Sequence, residues 1–144
     1  MNYDSYFREL LERESEATKV PFRAVSHGDF EPKKNDCHNN VDYWVTHYPE
    51  VKAVRGWLFW GPGADGRYNI MAHSVVDEAG VLVDITPIDE NTPREGLRFL
   101  RHRGSAEEFN AMKVPFSQFF YPFMSFEEWR ESMSSVRDEE VDFG

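Results

Sequence analysis

Ala72-His73-Ser74-Val75-Val76-Asp77-Glu78-Ala79-Gly80-Val81-Leu82-Val83-Asp84-Ile85-Thr86-Pro87 reads as two β-strands joined by a tight turn, and this stretch decides the fold. Valine-rich runs on either side of Asp-Glu-Ala-Gly form a hairpin pattern. Gly80 supplies the left-handed position that a four-residue loop requires. Such a loop pairs Val76 with Val81 and stands His73 directly opposite Asp84, with Cβ atoms ~5 Å apart. A three-residue loop at Glu78 to Gly80 instead sends the two side chains to opposite faces. Asp84 lies between Val83 and Ile85, where an unpaired carboxylate is costly. His73 is the partner that needs no further assumption.

Outward from the hairpin, two upstream runs extend the sheet. Val51 to Trp60 and Tyr68 to Val76 are rich in β-branched and aromatic residues, with the turn Gly61-Pro62-Gly63-Ala64-Asp65-Gly66 between them. Strands in succession with short turns predict an antiparallel meander. Before them, residues 37–48 have helical spacing, with Val41, Trp44, Val45 and Tyr48 on one face. Asn35 or Asp36 caps that helix and Pro49 follows it. Residues 3–19 read as an amphipathic helix ended by Pro21, and residues 20–36 as a wrapped loop. Beyond Pro87, 93–102 and 105–112 read as short helices, and 114–124 as an irregular aromatic segment packed on the core. Ser125-Phe126-Glu127-Glu128 is a capping box opening a last helix to about Met133, followed by a frayed acidic tail from Asp138 to Gly144. The fold class is α+β: an antiparallel sheet packed against the helix that starts at Cys37, in one domain spanning 1–144.

The chain has 144 residues, 15% of them aromatic, and a net charge of −10. That aromatic content argues for a packed globule. The acidity argues against nucleic acid or an anionic membrane as partner. Arg94, Arg98, Arg101, His102 and Arg103 form the one basic cluster, which reads as a solvated helix face. No run approaches the ~20 apolar residues that span a bilayer. The N-terminus carries no signal-peptide pattern, so a cytoplasmic location is expected. A single cysteine excludes an internal disulfide and any Cys-rich zinc site.

That cysteine sits in Asn35-Asp36-Cys37-His38-Asn39-Asn40, outside any apolar run and in the first turn of its helix. Free amide groups and the helix dipole there stabilise a thiolate. The bland alternative is a buried small hydrophobe. With His73 and Asp84 downstream, the order is thiol, base, orienting acid, which is the requirement of thiol acyl transfer. A side-chain donor to the oxyanion is also needed, with Asn35 nearest in sequence and Trp57 another candidate. Asn39 and Asn40 read equally as structural hydrogen-bonding residues. Cys37, His38, His47 and His73 are potential zinc ligands, but their spacing matches no metal motif, so no metal or cofactor is expected. Trp44, Trp57, Trp60 and the Phe116 to Phe126 cluster read as core rather than as the walls of a ligand cleft.

Residues 35–87 resemble the papain-like superfamily, above all its transglutaminase-like and NlpC/P60-like branches. There a cysteine begins a helix, a histidine lies on the following sheet segment, and an acid or polar residue follows on the adjacent strand. The chain departs from the transglutaminase-like pattern at Val75, where an aromatic is usual, and at Asp84-Ile85-Thr86-Pro87, which replaces Asp-Pro-Thr. The resemblance implies Cys37 as nucleophile, His73 as base and Asp84 as orienting acid. It implies a hydrolase, thiol protease or transferase acting on a peptide, a protein or a small amide or thioester. The other class of function is a non-catalytic binding or regulatory domain on the same fold.

Overall fold

Strand β2 (Tyr68–Glu78) organises the molecule. The structure, a computed structural model, describes residues 2–89 and 94–123. Along one side β2 pairs antiparallel with β1 (Lys52–Trp60), from Lys52 opposite Asp77 to Trp60 opposite Asn69. β1 in turn pairs with β4 (Arg98–Arg101). On its other side β2 has two partners: β3 (Val81–Val83) along 76–78, and β5 (Gln118–Tyr121) along 68–71. The result is a curled, five-stranded antiparallel sheet. Residues 72–75 of β2 lie between the two partners, where among the described residues the one backbone hydrogen bond on that side runs from the Ala72 N–H to the Ser117 carbonyl.

The helices share one face. Phe7 and Leu10 of α1 (Tyr3–Glu12) and Phe109 and Met112 of α3 (Ala106–Met112) bury against Trp57, Phe59, Ile70 and Leu100. Val41 and Trp44 of α2 (Cys37–His47) cover Val76, Val83 and Ile85. Each fully buried large apolar side chain contributes about 1.5–3 kcal/mol. This packing fixes where the first turn of α2 lies. Val54, Leu58, Val75 and Phe99 face the other way and cluster with Leu97, half-buried Val20 and Ile88. A strap crosses that second face. Thr18 exchanges two backbone hydrogen bonds with Phe99 at the β4 edge. Three residues on, Pro21 accepts from Asp84 N–H, and Arg23 then donates to the Asp84 carbonyl.

The expected meander of three strands is present, with corrections around it. The β2–β3 turn has two residues, not four: Ala79 and Gly80 both have positive φ, at 54° and 90°. This is the twist a two-residue hairpin favours, and the Asp77 carboxylate caps it by accepting from Gly80 N–H at 2.7 Å. Val76 therefore pairs with Val83 rather than Val81. β3 ends at Val83, short of the expected Thr86, because Asp84 bonds sideways to the strap. The first helix stops at Glu12, followed by a 3₁₀ turn. The segment 93–102 is not a helix. It holds a 3₁₀ turn (Arg94–Gly96) and β4, because Phe99 and Leu100 alternate between the two cores. Within 114–124, an edge strand replaces the expected irregular segment. The short helix expected at 105–112 is α3, capped by Ser105. The capping box at Ser125, its helix and the acidic tail lie outside the described residues.

Gly56 stands opposite His73 across the β1–β2 ladder. A Cβ there would meet the Leu100 carbonyl oxygen at 2.2 Å and the Phe99 ring at 2.7 Å. Gly56→Ala is expected to lower stability by about 1–3 kcal/mol, the usual result of overpacking. Urea denaturation measures it, and an unchanged midpoint would contradict the close approach of β1 and β4.

Candidate active site

Strand alternation sends His73 to the strap face of β2 and Ser74 to the helix face. With Val76 opposite Val83, the register continued one residue past the end of β3 sets Asp84 on the face of Val75. His73 is two residues along on the same face, so His73 and Asp84 are diagonal neighbours rather than direct ones. The register differs from the expected one by two residues, which preserves the face; a shift of one would have separated the pair. His73 Nε2 and Asp84 Oδ2 are 2.8 Å apart, with both residues buried.

The Asp84 carboxylate is fully engaged. Oδ1 accepts from Thr86 N–H at 3.0 Å, and Arg94 Nη1 stands 3.5 Å from Oδ2. Arg94 is itself anchored by donating to the Thr86 carbonyl at 2.7 Å and by lying 4.3 Å above the Phe22 ring. A carboxylate this deep is tolerable only with such partners. Nothing near Arg94 in the sequence marks this role. Its neighbours in the arginine run scatter: Arg98 pairs with Glu14, Arg103 with Glu16, and His102 bonds Tyr6. The expected solvated helix face does not exist.

Cys37 opens α2 and reaches β2 at the break between β3 and β5. Its thiol shares a cleft with the His73 and His38 rings, and both act on it electrostatically. Since Asp84 occupies Nε2 of His73, Nδ1 is the ring nitrogen left for the thiol. Asp36 holds the cap position, but its side chain accepts from Asn39 Nδ2 and makes no cap bond. The first-turn amides are thus free of a capping carboxylate. Burial pushes the thiol up, yet hydrogen bonds and charge from His38 and His73 outweigh it and bring Cys37 down to about 6. Burial opposes charge on His73, yet Asp84 and then Cys37 hold its proton and lift it to about 10. Both shifts favour the thiolate and imidazolium forms of the pair.

Cys37 is 8% exposed and opens onto a cleft of about 460 Å³ that Asn35, His38 and His73 also line. Leu58, Trp60, Met71 and Ile88 form its apolar wall. Trp60 is thus a cleft residue, whereas Trp57 is sealed in the core and donates to Tyr6 Oη at 2.9 Å. Trp57 therefore cannot serve an oxyanion. Asn35 has φ of 60°, and its backbone N–H is taken by the Pro87 carbonyl, so only its side-chain amide is available to the cleft. Asn40 is structural. Its amide bonds both backbone groups of Lys33 and the Thr86 hydroxyl, tying the entry loop of α2 to the segment after Asp84. His47 stacks on Tyr43 at the far end of α2, away from Cys37. Among the described residues no group of His, Cys, Asp and Glu is arranged to hold a metal ion. No helix among them is long and apolar enough to cross a membrane.

Comparison with known proteins adds little. The chain is 29% identical over 101 residues to Protein CDI of Arabidopsis thaliana, a match covering 70% of this chain and 34% of that protein. It thus spans about a third of the length of this curated relative. No family model and no solved structure matches.

Iodoacetamide labelling of Cys37 is expected to follow thiolate content, with a midpoint near pH 6. The lowered value means that reactivity is full above the midpoint and is lost as pH falls through it. In His73→Ala the midpoint should rise toward the ~8.5 of a free thiol. A wild-type midpoint already at that value would contradict the ion pair.

Asp84→Asn tests the orienting acid. With its carbonyl kept on Thr86 N–H, the amide presents NH₂ to His73 Nε2 and drives the ring proton to Nδ1, where it cannot accept from the thiol. The labelling rate at pH 7 should fall by about tenfold or more in a folded protein. A rate within about twofold of wild type would reduce the site to a Cys-His dyad.

Proposed function

We propose that the protein is a thiol hydrolase or acyltransferase of the peptidase, amidase, deamidase or transglutaminase type, working through an acyl-enzyme on Cys37. The observation that carries this reading is the line from Cys37 through His73 to Asp84, at the wall of a cleft. The substrate is an amide or thioester of a peptide, a protein or a small molecule. A papain-like core is part of the same proposal. Support for it comes from the helix that begins at the cysteine and packs on the antiparallel sheet carrying the histidine, and from the acid that follows directly after the next strand. A catalytic thiol with no disulfide partner suits a reducing compartment such as the cytoplasm.

In the mechanism, the Cys37 thiolate adds to the substrate carbonyl carbon and the C=O π pair moves to oxygen. As that pair returns, the bond to the leaving group breaks. The amine or thiolate expelled takes the Nδ1 proton from His73. Asp84 holds Nε2–H throughout, so the ring neither flips nor changes tautomer. A water or an amine then gives its proton back to Nδ1 and adds to the thioester, regenerating the Cys37 thiolate as it leaves. Hydrolysis and acyl transfer differ only in that acceptor.

4-Nitrophenyl acetate tests the proposal. A burst of about one equivalent of 4-nitrophenol per chain is expected, with an acetyl group on Cys37 by mass spectrometry. Cys37→Ala should abolish both, and His73→Ala should slow acylation by about a hundredfold or more. A wild-type protein that alkylates quickly at neutral pH but never acylates would overturn the reading in favour of a non-catalytic domain on this fold.

A further inference from the structure

Two histidines flank the thiol, and the acyl-transfer reading gives work to only one. His38 is next to Cys37 in α2 and lines the same cleft. Its Nδ1 lies 2.6 Å from the Ser74 hydroxyl, on the opposite face of β2 from His73. Arg55, directly across the β1–β2 ladder from Ser74, donates Nη1 to that hydroxyl at 2.7 Å. Asp42, one turn along α2, holds the same guanidinium by an ion pair. Phe109 packs edge-on to the His38 ring at 5.7 Å between centroids.

The direction of these bonds fixes a tautomer. A guanidinium only donates, so the Ser74 oxygen accepts from Arg55. Ser74 is fully buried, and its own O–H then needs an acceptor. His38 Nδ1 is that acceptor, which leaves the His38 proton on Nε2. His38 thereby directs one N–H away from Ser74, toward Cys37 and the cleft.

We infer that His38 is a second catalytic residue, whose Nε2–H, set by Ser74, Arg55 and Asp42, receives the negative charge that develops on the substrate oxygen. The inference rests on the acyl-transfer reading above. Before substrate binds, the same N–H serves the thiolate. During addition the Cys37 lone pair forms the C–S bond, the carbonyl π pair becomes the oxyanion, and His38 donates to it without losing its proton. His73 approaches the thiol from one face of β2 and His38 from the other, so base and oxyanion donor flank the nucleophile. Asn35 is the weaker candidate: it is exposed, and among the described residues no bond fixes its amide.

Two reagents separate this role from tuning of the thiol. Iodoacetamide reacts at a saturated carbon and develops no oxyanion, whereas 4-nitrophenyl acetate does. Rates are compared on the high-pH plateau, where each variant is fully thiolate. His38→Ala should lose about a hundredfold in acylation while alkylation stays within about threefold. His38→Gln, which can place an amide N–H near Nε2, should recover part of the loss. Ser74→Ala, which frees the tautomer, should fall in between, with circular dichroism confirming the fold. Equal losses with both reagents, or loss with neither, would overturn the role of His38 and leave Cys37 and His73 intact. Absence of acylation in the wild-type protein would instead remove the acyl-transfer reading itself, and this inference with it.

Discussion

Along residues 72–75 of β2 no strand flanks the side away from β1, because β3 pairs only down to 76 and β5 only from 71 down. The first turn of α2 occupies that break. A helix lying over a continuous sheet meets side chains from a single face. At a break in the edge it meets both, so Cys37 engages His73 from the strap face while His38 engages Ser74 from the helix face. The short β3 and the late arrival of β5 are thus what make the site.

Charge is arranged around the break in a graded way. The deepest group, Asp84, has a histidine, a backbone amide and an arginine. The Cys37 thiolate is held by two rings and by the amide end of α2. The outermost pair, Arg55 and Asp42, borders solvent and matters less for stability than for direction, since it decides which way the Ser74 hydroxyl points. Elsewhere, buried polarity has no such bias toward a cleft. Trp57 donates to Tyr6 Oη, which lies 2.5 Å from His102 Nδ1, and the chain of bonds ends on the Ser105 carbonyl inside the helix face. Burial there pushes the Tyr6 hydroxyl up to about 12, as befits a structural donor.

The strap links this chemistry to the rest of the fold. Pro21 and Arg23 take up the backbone of Asp84 and so end β3. Phe22, between them, supports the Arg94 guanidinium that faces the Asp84 carboxylate. Thr18, a few residues earlier, is tied to Phe99, whose ring crowds Gly56 opposite His73. One loop therefore restrains both sides of the His73–Asp84 contact, although none of its residues suggests a functional role in the sequence.

Much of this arrangement was legible in local pattern. Helical spacing after Asp36, β-branched and aromatic residues in 51–60 and 68–76, and the lone cysteine at a helix start are properties of short segments, and short segments obey short-range rules. The pairing of His73 with Asp84 was legible for a subtler reason: an acid between two apolar residues demands a partner, and both the expected and the observed hairpin keep the two on one face. The turn length was misread because a positive φ at Ala79 is unfavourable locally and is sustained by the strands on either side. β4 and β5 are too short to announce themselves and exist because β1 and β2 offer open edges. Arg94 at Asp84, and the path from Asp42 through Arg55 and Ser74 to His38, join residues distant in the chain. Only the tertiary structure decided them, because a side chain's partner depends on which backbone is brought beside it.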